Sequence, residues 1–154
     1  AKQTFDLLMQ ASGRSGRADT PGKVLIQAFN TDHYAIRAVM NQDYEYFYRI
    51  EMNYRNRASY PPYTHICELL ISDQNPERLE RSLSFLTKKV ADLPYRQYRP
   101  YQLNRIKKQL RYRILIMDKD LPGMLKDIQK TVDAYLSCRN LSSLKVDVDP
   151  LYLE

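Results

Sequence analysis

Two arginines in a glycine-containing segment near the start of the chain form the pattern that points most directly to chemistry. The segment reads Gln-Ala-Ser-Gly-Arg-Ser-Gly-Arg, with Arg14 and Arg17 three residues apart and Gln10 at its start. The glycines permit a close approach of the backbone, and two planar guanidinium groups can then face one anion. Such an arginine stabilises the charge that develops on a transferred phosphoryl group. The segment is therefore a candidate phosphate site, and a solvated turn is the alternative that spacing alone leaves open.

A second candidate site is a basic region near the middle of the chain, with tyrosines among its cations. Residues 94–117 contain no acidic side chain and hold seven cations, namely Arg96, Arg99, Arg105, Lys107, Lys108, Arg111 and Arg113. The formal net charge is +6, so the other 130 residues sum to −1. Cations neutralise phosphates, and rings such as those of Tyr98 and Tyr101 stack on unpaired bases at roughly 1–3 kcal/mol per base. This region predicts DNA binding without sequence specificity, while a solvated hairpin whose tyrosines cover the sheet is the alternative.

Composition narrows the class of protein. The chain has 154 residues, 44% of them hydrophobic and 27% charged, which is typical of a globular protein. No apolar run is long enough to span a membrane, and no secretion leader is visible. The two cysteines, Cys67 and Cys138, are too few for a disulfide scaffold or a four-ligand metal site. We therefore expect a cytoplasmic protein without a metal site in this chain, and we expect both cysteines to be buried.

The first sixty residues predict a helical region that follows the end of another domain. A short helix carries Phe5, and a loop over 12–22 leads to an apolar run over 24–29 that suits a strand buried on both faces. Residues 1–30 then read as the end of a larger α/β domain whose beginning is absent. Residues 31–58 have apolar side chains at spacings of three and four, which predicts a helix, with a possible division at 41–43. The prolines at 61 and 62 end it and mark a domain boundary.

The remaining residues alternate between strand and helix patterns. The predicted strands cover 63–72, 97–106, 111–117 and 144–148, and the predicted helices cover 75–93 and 121–136. The order β-α-β-β-α-β is the ferredoxin-like, split β-α-β pattern, an antiparallel sheet with two helices on one face. The fold class is therefore α/β in the wide sense (α+β), and Lys107 and Lys108 fall near the turn between the two middle strands.

The motifs also carry a resemblance. The glycine-arginine segment resembles motif VI of superfamily 2 helicases. Four short sequence motifs follow this segment. They are Gly-Lys-Val-Leu-Ile-Gln at 22–27, His-Tyr-Ala-Ile at 33–36, Tyr-Pro-Pro-Tyr at 60–63 and Asp-Val-Asp-Pro at 147–150. In this order and spacing they resemble the C-terminal part of the primosomal protein N′ family of replication-restart DNA helicases.

The resemblance implies a division of the chain and roles for the arginines. Residues 1–30 would end the second RecA-like helicase lobe, 31–60 would be a helical connector, and 61–154 would be a C-terminal domain similar to a small ribosomal-subunit protein. Arg17 would act as the arginine finger toward the ATP γ-phosphate, with Arg14 and Gln10 supporting it. The family's Walker motifs and zinc-binding cysteines lie upstream, so Mg-ATP and zinc would belong to the full protein alone.

The resemblance also implies partners and an activity. The full protein would unwind DNA from 3′ to 5′ at stalled forks and would bind single-stranded, duplex or forked DNA. Its protein partners would be the single-stranded-DNA-binding protein and other primosome proteins. This chain alone would bind DNA and would not hydrolyse ATP. One alternative is a free-standing ferredoxin-like module that binds RNA or a ribosome. Another is a small-ligand or acyl-phosphate enzyme, although the acidic segment 73–76 offers no anion loop.

Overall fold

A computed structural model describes residues 1–13 and 23–150 of the chain. The chain divides into two units, Ala1–Ala58 and Ser59–Glu154. Within the described residues, no helix is long and apolar enough to cross a membrane.

The first unit is helical. Its elements are α1 (Lys2–Gly13), α2 (Tyr34–Met40) and α3 (Tyr44–Ala58). Phe5 of α1 stacks on Phe47 of α3, with ring centroids 4.2 Å apart, and both rings are buried with Ala35, Ala38 and Val39 of α2. This cluster forms the core of the unit.

The predicted division of the long helix is confirmed. Gln42 adopts a φ of 52°, which a right-handed α-helix does not accommodate, and the Asp43 Oδ1 atom accepts a hydrogen bond of 2.8 Å from the backbone N–H of Tyr46. The first of these features ends α2, and the second caps the start of α3.

The prediction of a buried strand over 24–29 is wrong for this chain. The segment has no regular secondary structure, and Leu25 and Phe29 are exposed by 97% and 115%. A strand needs a neighbour for its backbone hydrogen bonds, and none of the described residues in the first unit forms another strand. Apolar content alone therefore does not produce a strand here.

The second unit confirms the predicted α+β fold. Its elements are β1 (His65–Asp73), α4 (Pro76–Ala91), β2 (Arg96–Gln97), β3 (Tyr101–Ile106), β4 (Gln109–Asp118), α5 (Leu121–Ser137) and β5 (Ser143–Val148). The sheet has the order β2-β4-β1-β5, β3 also pairs with β4, and all pairs are antiparallel. This is the split β-α-β order that the sequence predicts.

The core of the second unit lies between the sheet and its two helices. Leu69 of β1 pairs with Ile114 of β4, and both are buried with Leu86 of α4 and Met124 of α5. Alternate strand residues point to opposite faces, so this pairing defines which side chains face the helices. The opposite side of the sheet is called the second face below.

The strand predicted over 97–106 is divided in the structure. β2 ends at Gln97 and β3 begins at Tyr101, with Pro100 between them. Proline lacks a backbone N–H group and cannot donate to a neighbouring strand, which accounts for the interruption.

The connection from β1 to α4 is closed by ionic and polar bonds. Asp73 Oδ2 lies 2.5 Å from Arg78 Nε, and Asn75 caps α4 by accepting a hydrogen bond from the Arg78 N–H. The Arg78 guanidinium beside Asp73 holds the pKa of that carboxyl well below its usual range. These contacts occupy the segment that an acyl-phosphate enzyme would need as an anion loop.

Candidate nucleic-acid interface

The tip of the β3–β4 hairpin combines positive charge with an unfavourable backbone conformation. Ile106 pairs with Gln109, so Lys107 and Lys108 form a two-residue turn, with φ angles of 48° and 66°. Positive φ at both positions is normally supplied by Asn-Gly or Gly-Gly. A residue with a Cβ atom costs about 1–2 kcal/mol in this left-handed region. The hairpin therefore presents two lysines at a conformational cost.

A β-bulge lies next to this turn. Leu103 pairs with Arg111, while Ile106 pairs with Gln109, so Asn104 and Arg105 together oppose a single residue of β4. The additional residue restores Ile106 to the same side of the sheet as Leu103. Both side chains lie on the second face. Ile114 faces the helices, so Arg111, three residues earlier on the same strand, points to the opposite side, and Leu103 pairs with Arg111.

Most of the predicted cations are accessible. Arg96, Arg99, Arg105, Lys107 and Lys108 are exposed, and Arg111 is half-buried. Arg96 pairs with Met117 near one end of β4, whereas Arg105, Lys107 and Lys108 lie at its other end, beside Gln109. The cations are therefore spread along the strand-turn-strand region, and three of them lie at the hairpin tip. Their positive charge is not neutralised within residues 94–117, because that region contains no acidic side chain.

Arg113 departs from the prediction of a DNA contact. It is 6% exposed, and its Nε atom lies 3.4 Å from Glu68 Oε1. Arg113 pairs with Leu70 on one side and with Tyr101 on the other, so it lies inside the sheet rather than at its edge. Its guanidinium is buried beside Glu68 and is not accessible at the surface where a phosphate would bind.

The tyrosines of the region also differ in how accessible their side chains are. Tyr101 is exposed by 65%. Tyr98 is half-buried, and the Arg96 guanidinium carbon lies 5.1 Å from its ring centroid, which leaves one face of the ring in a cation–π contact. Tyr95 and Tyr112 donate hydrogen bonds to Asp127 and Gln102 and support the fold.

A cavity of about 290 Å³ lies along β3. It is lined by Tyr101, Leu103, Asn104, Ile106 and Arg111. Sequence reasoning identified Tyr101 and Arg111 and missed the other three residues. The bulge places Ile106 on the same side of the sheet as Leu103, and no residue pattern in 101–106 marks a bulge in advance.

The candidate phosphate site lies largely outside the described residues. Arg14 and Arg17 are in the segment 14–22, which the structure does not describe, and Gln10 is an exposed residue of α1. Within residues 1–13 and 23–150, no group of three or more His, Cys, Asp or Glu side chains is placed to hold a metal ion.

The two cysteine predictions have different outcomes, and a histidine lies beside an acidic side chain. The Nδ1 atom of His65 lies 2.7 Å from Asp149 Oδ2. Cys67 is buried as predicted, and burial raises the pKa of its thiol to about 12. Cys138 is exposed at the end of α5, so the prediction that it is buried is wrong. The end of a helix does not require its side chain to face the core.

The sequence of the second unit matches a known family. The family described as "Primosomal protein N C-terminal domain" matches residues 56–151. The chain belongs to this family. The matched region begins at the end of α3 and includes every strand of the sheet. The resemblance drawn from the sequence motifs is confirmed.

Curated relatives extend this similarity over nearly the whole chain. The Replication restart protein PriA of Bacillus subtilis (strain 168) is 32% identical over 158 residues, covering 97% of this chain and 20% of the relative. The proteins of the same name from Chlamydia pneumoniae and Synechocystis are 31% and 28% identical, covering 98% and 100% of this chain. The chain spans about a fifth of the length of these curated relatives. The family is therefore that of a replication-restart primosomal protein.

The solved structures that resemble the chain have lower sequence identity to it than the curated relatives do. A de novo designed protein, Foldit4, has a TM-score of 0.46 and 12% identity, covering 58% of this chain and 99% of its own. A similarity of this size does not bear on function.

Proposed function

We propose that this chain is the C-terminal part of an ATP-dependent 3′-to-5′ DNA helicase that restarts stalled replication forks and assembles the primosome, and that its β3–β4 hairpin binds DNA. The observation that carries DNA binding is the set of five exposed cations along β2, β3 and the turn, in a region without acidic side chains, two of them at positive φ in the turn. Family membership supports the role in replication restart.

The chemistry of the hairpin favours contacts to phosphates. Lysine and arginine neutralise phosphates without reading the base sequence, and each contact releases condensed counterions. Backbone strain that persists in a structure concentrates at functional sites. Lysines in a turn where Asn-Gly would be less strained support a role for their charge in binding a polyanion.

The arginines of the glycine-containing segment act only in the full protein under this proposal. Arg17 serves as the arginine finger at the γ-phosphate of Mg-ATP, with Arg14 and Gln10 supporting it, and zinc is held elsewhere in that protein. The chain alone then hydrolyses no ATP. Phosphate release by the purified chain with single-stranded DNA tests this, and turnover that follows the chain through purification would contradict it.

The proposed partners follow from the same assignment. They are DNA, the single-stranded-DNA-binding protein and other primosome proteins, in the cytoplasm.

Fluorescence anisotropy tests DNA binding directly. Single-stranded, duplex and forked oligonucleotides are titrated with the chain between 50 and 200 mM salt. The variant Arg105→Gln/Lys107→Gln/Lys108→Gln should bind more weakly, and its slope of log affinity against log salt should fall by about 2 for single strands, at roughly 0.7 per phosphate contact.

A matched control separates site from net charge. Arg81, Lys88 and Lys89 are exposed on α4, and replacing all three with glutamine removes the same charge away from the hairpin. This control should keep the wild-type slope. If the hairpin variant also keeps it, the hairpin does not contact phosphates.

A further inference from the structure

We propose that the cavity along β3 binds one unpaired nucleobase, so that the hairpin prefers single-stranded DNA to fully paired DNA. The inference rests on the proposed function, that the hairpin binds DNA, and it adds the form of DNA that is bound. It is carried by the cavity of about 290 Å³ and by the types of side chain that line it.

The walls of the cavity provide the apolar and aromatic surfaces that a base needs. Tyr101 is 65% exposed, so its ring is available for stacking, and Leu103, which is 8% exposed, is a buried part of the lining. Ile106 adds a second aliphatic side chain, 48% exposed, because the bulge restores it to the second face. An exposed aromatic ring beside aliphatic side chains is suited to a flat, weakly polar group.

The polar residues of the cavity match the rest of a nucleotide. The Asn104 amide both donates and accepts hydrogen bonds, as the edge of a base requires. Arg111 also lines the cavity and adds positive charge there. Arg105, Lys107 and Lys108 are exposed next to the cavity and attract the neighbouring phosphates.

Paired DNA does not fit the cavity in the same way. A base in a duplex is stacked on both faces and hydrogen-bonded along its edge, so it would have to be flipped out at a cost in free energy. An unpaired base enters without that cost. The cations outside the cavity contact phosphates of either form, so the preference arises in the cavity.

The test compares Tyr101→Ala with Tyr101→Phe on oligonucleotides of equal length. Tyr101→Ala should weaken binding to a single strand about 5- to 150-fold, the loss of one stacked base, and should change duplex binding less than twofold. Tyr101→Phe keeps the ring and should bind the single strand as the wild type does. Tyr48→Ala removes a tyrosine of similar exposure from α3 and should change neither.

A second measurement uses a single strand with abasic sites throughout. This strand retains the phosphates but has no bases. The wild type should bind it as weakly as Tyr101→Ala binds the normal single strand, and Tyr101→Ala should bind the normal and the abasic strand equally. Equal losses on single strand and duplex, or none on either, would overturn the base-binding proposal while the effect of the Arg105/Lys107/Lys108 variant still stands. If the wild type binds no DNA at any salt concentration, both proposals fail.

Discussion

Replacing the turn lysines with the residues that this turn normally uses should make the protein more stable and weaken its binding to DNA. In Lys107→Asn/Lys108→Gly, both positions keep a positive φ, at present 48° and 66°, without the steric cost of a lysine Cβ atom at position 108. The same change removes two charges from the tip of the hairpin. Stability and binding should therefore move in opposite directions.

The magnitudes follow from the backbone and from the charge. Relief of about 1–2 kcal/mol per left-handed residue, offset by about 0.5–1 kcal/mol for the greater freedom of glycine in the unfolded chain, leaves a gain of about 1 kcal/mol. For a unit of this size, that raises the melting temperature by roughly 4–8 °C. Loss of two phosphate contacts lowers the salt slope by about 1.4 for single strands. The ratio of wild-type to variant affinity should then fall about sevenfold between 50 and 200 mM salt.

Two assays on the same samples check both effects. Thermal unfolding followed by circular dichroism gives the stability, and anisotropy across a salt series gives the binding. Lys107→Arg/Lys108→Arg keeps both charge and strain and should bind DNA without a gain in stability. A variant with asparagine and glycine that binds like the wild type, with the same slope, would refute the role of the tip. A loss of stability would refute the argument from strain.

Three further predictions concern the second unit. In native protein at pH 8, iodoacetamide should modify exposed Cys138 and spare Cys67, whose thiol pKa burial raises to about 12; intact mass checks this, and equal modification would contradict it. Because folding lowers the pKa of Asp73, this carboxyl stabilises the protein above about pH 4, its pKa in the unfolded chain, and the stabilisation is lost as the pH falls further. Asp73→Asn should therefore flatten the pH dependence of the free energy of unfolding in urea. Glu68→Leu should lower the free energy of unfolding by about 3–5 kcal/mol, because Arg113 would remain buried without its acidic neighbour. The double variant Glu68→Leu/Arg113→Met should recover most of this loss. A single variant as stable as the wild type would refute the prediction.

Side-chain periodicity in the sequence was sufficient to predict the α+β order. Leu79, Leu86 and Val90 recur at helical spacing and are buried along α4, while alternate residues of β1 are buried in the core. These periods are properties of consecutive residues, so they can be read without knowledge of any distant contact. The concentration of cations in residues 94–117 is a sequence property in the same sense.

Tertiary structure decided which of those residues are accessible and where a cavity forms. Arg113 and Lys108 are both cations of the basic region, yet the first is buried between two neighbouring strands and the second is exposed at a turn. The run over 24–29 has the composition of a strand but no strand within the described residues of its unit to pair with. The pairing and register of β1 with β4 and β5 depend on residues far apart in the chain, and the bulge after Leu103 depends on the register with the next strand. Local patterns do not contain that information, because a β-ladder is formed by hydrogen bonds between separate segments.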